Sequence, residues 1–298
     1  MEISNDILVS VCCITYNQVF YIRQCLDGFL MQKTNFKFEV IIHDDCSTDG
    51  TTDVIREYVE KYPDLIKPIF QERNQYQNGC KRILATFVYP KAQGKYIALC
   101  EGDDYWTDPL KLQKQVDFLE SHPDYSMCFH RAHILKENEC AVGLQCDDIE
   151  NREYNPNELL EYWKVPTASI LARHEVIAVK NIGVERILNG DIIHVLNCAK
   201  IGKIRGMSDV MSVYRVQNSG VTYDKKLKSI RSLRYPAHFE FIKDNYPFLK
   251  SSIINQKIAR AYMNRRKIQT NLGAYLKDVL LAFHYNPLVF LDKFKSPR

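Results

Sequence analysis

Short apolar runs rich in β-forming residues alternate with amphipathic stretches over roughly the first 130 residues of the sequence. The apolar runs predict strands at 8–15, 38–43, 66–70 and 95–100, and the amphipathic stretches predict helices at 19–31, 51–61, 83–88 and 111–119. Strands that alternate with helices form βαβ units, whose strands lie parallel in one sheet. We therefore expect an α/β fold with a mostly parallel central sheet.

The remainder of the chain has a weaker pattern. Residues 136–157 are polar and acidic, which predicts a long surface loop. Beyond them we expect strands at 167–173 and 207–216 with a helix at 191–200 between them. From Lys225 onward the apolar spacing is helical, so the chain should end in a helical extension.

Charge is distributed unevenly along the chain. The formal net charge is +4, but the residues from Lys225 onward carry +12 and those before them −8. A basic extension favours an anionic partner, and nucleic acid and an anionic membrane are the two candidates. We expect no nucleic-acid partner, because no recognised binding motif accompanies the charge.

The extension also contains an amphipathic segment at 270–283, preceded by the basic cluster Arg265, Arg266 and Lys267. An apolar face beside a basic cluster is typical of a helix that lies on an anionic membrane. Two alternatives remain open at this point, namely a helix packed on the rest of the chain and a dimer interface.

The ten cysteines follow no metal-ligand or disulfide spacing, which is typical of reduced thiols in a cytosolic protein. The first residues show no secretion signal, and no stretch reaches the ~18 consecutive apolar residues of a spanning helix. We expect a cytoplasmic protein, on the inner face of the cell membrane if the extension binds lipid.

Polar clusters follow three of the predicted strands. They are Thr15–Gln18 after the first strand, Asp44–Asp49 after the second and Glu101–Asp104 after the fourth. The carboxyl ends of parallel strands meet at one edge of the sheet, where ligands of such folds bind. The three clusters therefore predict a binding site at that edge.

Glu101, Asp103 and Asp104 place three carboxylates within four residues. A hard divalent cation, bound through one or two carboxylates and completed by phosphate oxygens, would relieve their repulsion. Such an ion would also stabilise the charge that develops on a leaving diphosphate. The alternative is an acidic cluster that starts a helix.

Other side chains at this edge have two interpretations each. Asp44 and Asp45 could accept the N–H of a nucleobase or could cap a loop. Tyr16 could stack on a base or simply end the strand. Lys81 and Arg82 could reach a phosphate or could be a solvated basic pair.

The sequence resembles family 2 glycosyltransferases with the GT-A fold from about residue 9 to residue 222. The resemblance rests on five segments in order: TYNQ, VIIHDDCSTDGT, GKYIALCEGDDYWTDPLKLQKQ, NGDIIHVLNCAKIGKI and VMSVYRVQNSGV. It implies a GT-A catalytic domain at 1–223, with a nucleotide-sugar-binding half at 1–105 and an acceptor-binding, catalytic half at 106–223. Residues 224–298 would form the basic helical extension.

The resemblance also implies a nucleotide-diphosphate sugar donor and a divalent cation, Mn²⁺ or Mg²⁺. Asp103 corresponds to the main metal ligand, with Glu101 close to the metal and Asp45 at the base. The residues implied in binding the nucleotide sugar are Thr15, Tyr16, Asn17, Asp44, Asp45, Lys81, Arg82, Glu101, Gly102, Asp104 and Arg215.

Asp191 falls where the family places its catalytic base, which takes the proton of the acceptor hydroxyl as that oxygen attacks the anomeric carbon. Attack from the face opposite the diphosphate inverts the configuration. By itself, Asp191 after Gly190 fits a helix cap better than a catalytic base. The chain departs from the family pattern at Glu101, where Asp is common, and at Gln217, where many members carry His.

The function that the resemblance implies is inverting transfer of a sugar, from a UDP-sugar in the first instance. The acceptor would be a hydroxyl of a glycan or lipid-linked molecule in surface polysaccharide synthesis. Two other functions fit an acidic α/β site: a nucleotidyltransferase, and a non-catalytic nucleotide-sugar or glycan binder on a degenerate transferase fold. The segment TYNQVFYIRQ lacks the Gly-rich basic loop that a nucleotidyltransferase needs.

Overall fold

The structure is a computed structural model, and it describes residues 6–136, 142–145, 148–177, 184–217 and 225–289. The chain divides into two compact units. The first unit comprises residues 1–154, 164–180 and 197–216, and the second comprises 155–163, 181–196 and 217–298.

All strands of the described residues belong to the first unit and form one sheet. They are β1 (Ile7–Thr15), β2 (Lys37–Asp44), β3 (Ile66–Phe70), β4 (Tyr96–Glu101), β5 (Tyr105–Trp106), β6 (Tyr125–Lys136), β7 (Val142–Gln145), β8 (Leu171–Arg173) and β9 (Lys203–Val216). The strand order is β3-β2-β1-β4-β8-β6-β9-β5, and β7 pairs with β6 outside this order. The helices, in chain order, are α1 (Ile22–Leu30), α2 (Thr51–Lys61), α3 (Lys111–Ser121), α4 (Pro156–Glu161), α5 (His174–Ile177), α6 (Gly190–Ile201), α7 (Lys225–Asn245), α8 (Ser251–Arg265) and α9 (Leu272–Tyr285).

The predicted α/β architecture is confirmed. β1 pairs in parallel with β2 and β4, β2 with β3, and β6 with β9, so most paired residues lie in parallel pairs. The short strands β5, β7 and β8 supply the antiparallel pairs. Parallel strands need covering on both faces, which explains why β1 and β4 are apolar almost throughout.

The core of the first unit lies between the sheet and helices α1, α2 and α3. α1 buries Ile22, Cys25, Leu26 and Phe29, which share one face at helical spacing. Phe29 meets the indole of Trp106 edge to face, with the ring centroids 4.7 Å apart. Burying such large rings is the main stabilising term at this contact.

Several predicted elements differ in detail from the observed ones. The predicted loop at 136–157 contains β7, which pairs with β6, and the first residues of α4. Part of that loop, residues 137–141 and 146–147, lies outside the described residues. The predicted helix at 83–88 is a π-helical turn, Leu84–Val88, and the strand at 167–173 is a 3₁₀ turn, Thr167–Ser169, followed by β8. β9 begins at Lys203, four residues before the predicted strand.

The second unit is helical and contains α4, the start of α6, and α7 to α9. Its core joins Leu160 of α4 and Ile193 of α6 to Phe241 of α7 and Ile258 of α8. The prediction of helices after Lys225 is therefore confirmed over 225–289, whereas residues 290–298 lie outside the described part.

Among the described residues, no helix combines the length and the hydropathy that a membrane-spanning segment requires. Eight cysteines of the described residues carry free thiols, and six of these are buried. Burial raises the pKa of thiols such as Cys128, to about 12, so these side chains act as apolar filler of the core.

Candidate active site

The strand register brings the three polar clusters together at one edge of the first unit. Thr15 at the end of β1 pairs with Asp44 at the end of β2, and Ile14 pairs with Glu101 at the end of β4. Two further hydrogen bonds extend this alignment: the Asp45 N–H donates to the Thr15 carbonyl at 3.0 Å, and the Gly102 N–H donates to the Ile14 carbonyl at 3.0 Å. The edge predicted from the sequence is thus a single continuous surface.

Asn17 joins the loop after β1 to the loop after β2. Its backbone has φ of 51°, a left-handed conformation that Asn tolerates better than most residues. Its Oδ1 accepts the Thr48 N–H at 2.8 Å, and its own N–H donates to Ser47 Oγ at 2.9 Å. The neighbouring Tyr16 side chain is 38% exposed, so its ring is accessible at this edge.

Asp44 is buried and bonds within its own loop. Its Oδ1 accepts the Ser47 N–H at 3.1 Å and the Ser47 hydroxyl at 2.5 Å, and its Oδ2 accepts the Thr52 hydroxyl. These bonds hold the loop between β2 and α2 in one conformation.

Asp45 is also buried, but it bonds to a distant segment. Its Oδ1 accepts the Gln75 N–H at 2.7 Å and its Oδ2 accepts the Tyr76 N–H at 3.0 Å. Lys81 then donates from Nζ to the Tyr76 carbonyl at 2.6 Å and lies 3.6 Å from the centre of the Tyr76 ring. Asp45 therefore anchors the segment that follows β3, while each carboxylate oxygen keeps a second lone pair for another donor. The sequence gives no signal for the roles of Gln75 and Tyr76, because both lie in an irregular segment.

The acidic motif begins where β4 ends. Glu101 and Asp103 are partly exposed, whereas Asp104 is buried and its Oδ1 accepts the Arg215 N–H at 2.8 Å. Burial raises the pKa of Asp104 well above its usual range, and the nearby charges of Asp103 and Glu101 raise it further. Burial and the neighbouring like charges therefore both disfavour the ionised form of Asp104.

Arg215 of β9 packs beside this motif. Its guanidinium lies 5.0 Å from the ring centre of Tyr21 and 4.8 Å from that of Tyr105, and it donates to Oε1 of Gln24. Contacts with two aromatic faces orient the guanidinium.

Two other residues singled out in the sequence lie in the described part of the chain. Arg82 is half-buried, and Gln217 lies just after the end of β9.

Within the described residues, no group of three or more His, Cys, Asp or Glu side chains is arranged to hold a metal ion by itself. The chemistry of the acidic motif nevertheless fits a divalent cation. Carboxylate oxygens are hard ligands, and a positive ion would relieve the repulsion that Asp103 and Glu101 exert on Asp104. Mg²⁺ and similar ions commonly use one or two carboxylates and take their other ligands from substrate phosphates and water.

Gly102 allows the motif to pass close to the loop after β1. A Cβ atom on Gly102 would lie 2.5 Å from Oε1 of Gln18 and 2.7 Å from Oγ1 of Thr15. We expect Gly102→Ala to lower the free energy of unfolding by about 1–3 kcal/mol, because the edge must shift to admit the methyl group. Thermal unfolding measures this loss. Gly143→Ala, where a Cβ meets nothing within 4 Å, should be nearly neutral; equal losses in the two variants would show that the close approach at Gly102 is unimportant.

A buried polar network supports the turn beside β4. The Lys111 ammonium lies 4.0 Å from the centre of the Trp106 ring system and donates to Oε1 of Gln115 at 2.8 Å. Gln115 Nε2 donates to the Ser169 carbonyl at 2.9 Å, and Trp106 Nε1 donates to the Ala168 carbonyl at 2.9 Å. This network fixes the Thr167–Ser169 turn against α3, a contact that the sequence pattern does not predict.

Lys111 gives the stability of the protein a specific pH dependence. Burial lowers its pKa from 10.5 to about 7, so between these values the unfolded chain binds one more proton than the folded one. Stability due to this group is therefore lost as the pH falls from 10.5 to about 7, at about 1.4 kcal/mol per pH unit. We expect Lys111→Met to raise the free energy of unfolding at pH 7 by about 1–3 kcal/mol and to flatten this slope. Denaturant unfolding at several pH values measures both effects, with the exposed Lys67→Met as control; an unchanged slope would contradict the lowered pKa.

Asp191 belongs to the second unit and lies in the first turn of α6. Its Oδ1 accepts the adjacent Ile192 N–H at 2.9 Å. Burial raises its pKa above the ordinary value of 3.8, against the opposing effects of backbone N–H groups and the positive charge of Arg231. A carboxylate with a raised pKa is a stronger base than an ordinary aspartate, which suits a proton acceptor.

The model of the family described as Glycosyl transferase family 2 matches residues 10–172, more than half of the chain. The match contains the three polar clusters and ends before Asp191 and Arg215. The uncharacterized protein Rv1520 of Mycobacterium tuberculosis is 37% identical over 214 residues, which cover 72% of this chain and 60% of that protein. The chain thus spans about three fifths of the length of that relative.

The UDP-Glc:α-D-GlcNAc-diphosphoundecaprenol β-1,3-glucosyltransferase WfaP of Escherichia coli is 28% identical over 227 residues, covering 75% of this chain and 83% of that enzyme. Two solved structures share the fold. TarS of S. aureus (residues 1–349) in complex with UDP-GlcNAc has a TM-score of 0.56 and 17% identity, with 98% of this chain and 93% of that chain covered. The mannosyltransferase PcManGT of Pyrobaculum calidifontis in complex with GDP-Man and Mn²⁺ has a TM-score of 0.54 and 16% identity, with 99% and 89% covered.

Proposed function

The chain belongs to glycosyl transferase family 2 and has the GT-A fold, and from that premise we propose that it transfers a sugar from a UDP-sugar to an acceptor hydroxyl. The observation that carries the proposal is the convergence of Thr15, Asp45 and the Glu101–Asp104 motif at the carboxyl edge of parallel strands. Ligands of open α/β sheets bind at such an edge.

Each residue at this edge has a proposed role. Asp45 accepts the N–H of the base with the lone pairs that Gln75 and Tyr76 leave, and the accessible ring of Tyr16 packs on the base. Thr15, Asn17 and Asp44 hold the two loops that surround it. Lys81, Arg82 and Arg215 provide positive charge for the diphosphate, and Gly102 and Asp104 line the sugar and ribose.

Asp103, with Glu101, would hold a divalent ion, Mn²⁺ or Mg²⁺, at the acidic motif. When bound, such an ion neutralises the charge that develops on the leaving diphosphate. PcManGT, which shares the fold, was solved with Mn²⁺, which supports a divalent ion here.

The proposed reaction is a single displacement. The acceptor oxygen forms a bond to the anomeric carbon as the bond from that carbon to the diphosphate oxygen breaks, and the diphosphate leaves with the electron pair. Asp191 takes the proton of the acceptor hydroxyl. Attack opposite the leaving group inverts the anomeric configuration.

We assign donor binding to residues 1–105 and acceptor binding with base catalysis to 106–223. For the acceptor we propose a glycan or lipid-linked saccharide in surface polysaccharide synthesis, and we propose that the reaction takes place at the cytoplasmic face of the membrane. The name of WfaP, a relative that acts on a diphosphoundecaprenol-linked sugar, supports this class of acceptor.

A transfer assay tests the proposal. The purified chain is incubated with UDP-, GDP-, CMP- or dTDP-sugars, a divalent cation and polyprenyl diphosphate-linked saccharides, and the released nucleotide is measured. We expect UDP release that requires both the acceptor and the cation, and an anomeric proton signal of the product that shows inversion. Release of nucleotide without acceptor, or no release with any donor, would contradict the proposal.

A further inference from the structure

One face of α9 is apolar and exposed to solvent. Leu272, Leu276, Leu280 and Phe283 are exposed to 72%, 50%, 69% and 54% of their surface. Their spacing of four, four and three residues places them on one side of the helix. We refer to these four side chains as the α9 stripe.

The opposite face of α9 holds the helix onto α8. Asp278 and Ala282 are buried there, and Asp278 pairs with the Arg265 guanidinium at 2.6 Å. The ring of Tyr285 stacks on that of Tyr262, with the centroids 6.1 Å apart. These contacts fix the helix and leave at least half of the surface of each side chain of the α9 stripe exposed to solvent.

The segment of the chain that carries the α9 stripe is rich in basic residues, although Glu240 of α7 also lies near α9 and accepts the hydroxyls of Tyr262 and Tyr285. Residues 260–289 contain five basic side chains and one acidic side chain, Asp278, whose charge is neutralised in the pair with Arg265. The predicted basic cluster is divided by the fold, since Arg265 is used in that pair and Arg266 donates to the Tyr275 hydroxyl at 2.9 Å. Lys267 and Lys277 are exposed.

From this arrangement we propose that the α9 stripe docks into the surface of an anionic lipid bilayer. The four apolar side chains enter the boundary between headgroups and acyl chains, and Lys267 and Lys277 contact lipid phosphates. A second copy of the chain is a poorer partner, because a symmetric pairing of two stripes would bring the same basic residues together. The proposal rests on the proposed function only in that a lipid-linked acceptor lies at that surface.

Vesicle flotation of the full chain tests the proposal without donor or acceptor. The vesicles contain phosphatidylcholine alone, or phosphatidylcholine and phosphatidylglycerol in equal parts. We expect binding to the anionic vesicles only, weakened at least about tenfold by Leu276→Glu with Leu280→Glu and about fivefold by each of Lys267→Gln and Lys277→Gln. Ile201→Glu, which changes an exposed isoleucine of the first unit, is the matched control and should bind normally.

Equal binding of the Leu276→Glu, Leu280→Glu variant and the wild type, or no binding by the wild type, would overturn the proposal. So would a wild-type dimer in light scattering that this variant converts to a monomer, since the stripe would then be a protein interface. A transfer assay with a short-chain, water-soluble acceptor separates docking from catalysis. If the chain does not bind vesicles but transfers sugar, only the docking proposal is wrong. If it binds vesicles but does not transfer sugar, the proposed function is wrong.

Discussion

Asp191→Asn should lower the rate of sugar transfer about 10³-fold while leaving the affinity for the donor unchanged. General bases contribute about 10²–10⁴-fold to such reactions, and an amide cannot accept the proton of the acceptor hydroxyl. The side chain keeps its size, so the first turn of α6 should fold as before. Steady-state kinetics with a saturating acceptor, together with calorimetric donor binding, measure the two quantities separately.

The pH profile provides a second readout of the same residue. Burial raises the pKa of Asp191 above its ordinary value of 3.8. At any pH below this raised pKa, the base is mostly protonated and inactive. We expect the wild-type rate to fall as the pH drops through that raised pKa, and the residual rate of Asp191→Asn to lack this step. Asp244→Asn, which alters an exposed carboxylate paired with Arg186, serves as control. Full activity of Asp191→Asn would exclude Asp191 as the base.

Asp103→Asn should weaken metal-dependent donor binding at least about 100-fold. A divalent ion bound at the acidic motif would connect the protein to the diphosphate, and an amide oxygen is a far weaker ligand than a carboxylate for this purpose. Calorimetric titration of the donor with and without Mn²⁺ measures the effect. We expect the variant to bind the donor with the same low affinity in both conditions.

The control for Asp103 is Asp53→Asn, the same chemical change at an exposed carboxylate of α2. It should retain the wild-type response to Mn²⁺. If Asp103→Asn also kept a wild-type response, the metal would have to bind elsewhere and the proposed role of Asp103 would be wrong.

The arrangement of strands and helices could be predicted because the pattern of apolar residues is strong where the sheet is buried on both faces. β1 and β4 illustrate this, since each is an almost continuous apolar run between polar clusters. The short strand β7 could not be predicted. It has four residues, and its pairing with β6 depends on tertiary contacts rather than on local preference.

The meeting of the three polar clusters at one edge could also be predicted, because parallel strands bring their carboxyl ends to the same edge. The partners of individual side chains could not. Asp45 bonds to backbone groups 30 residues away, and Lys111 occupies a buried position on the apolar side of α3, where the sequence shows only a charged residue in an amphipathic helix. Interactions of this kind depend on how separate segments meet in space, which local sequence patterns do not reveal.

Calorimetric titration of the wild-type chain with UDP-, GDP-, CMP- and dTDP-sugars, each with and without Mn²⁺, tests the central claim most directly. It needs no knowledge of the acceptor, and it addresses the metal and the nucleotide together. We predict that one UDP-sugar binds tightly in the presence of Mn²⁺ and weakly in its absence, and that the other nucleotides bind weakly throughout. Absence of binding to every donor, by a chain that circular dichroism shows to be folded, would contradict the claim and favour a non-catalytic protein on a transferase fold.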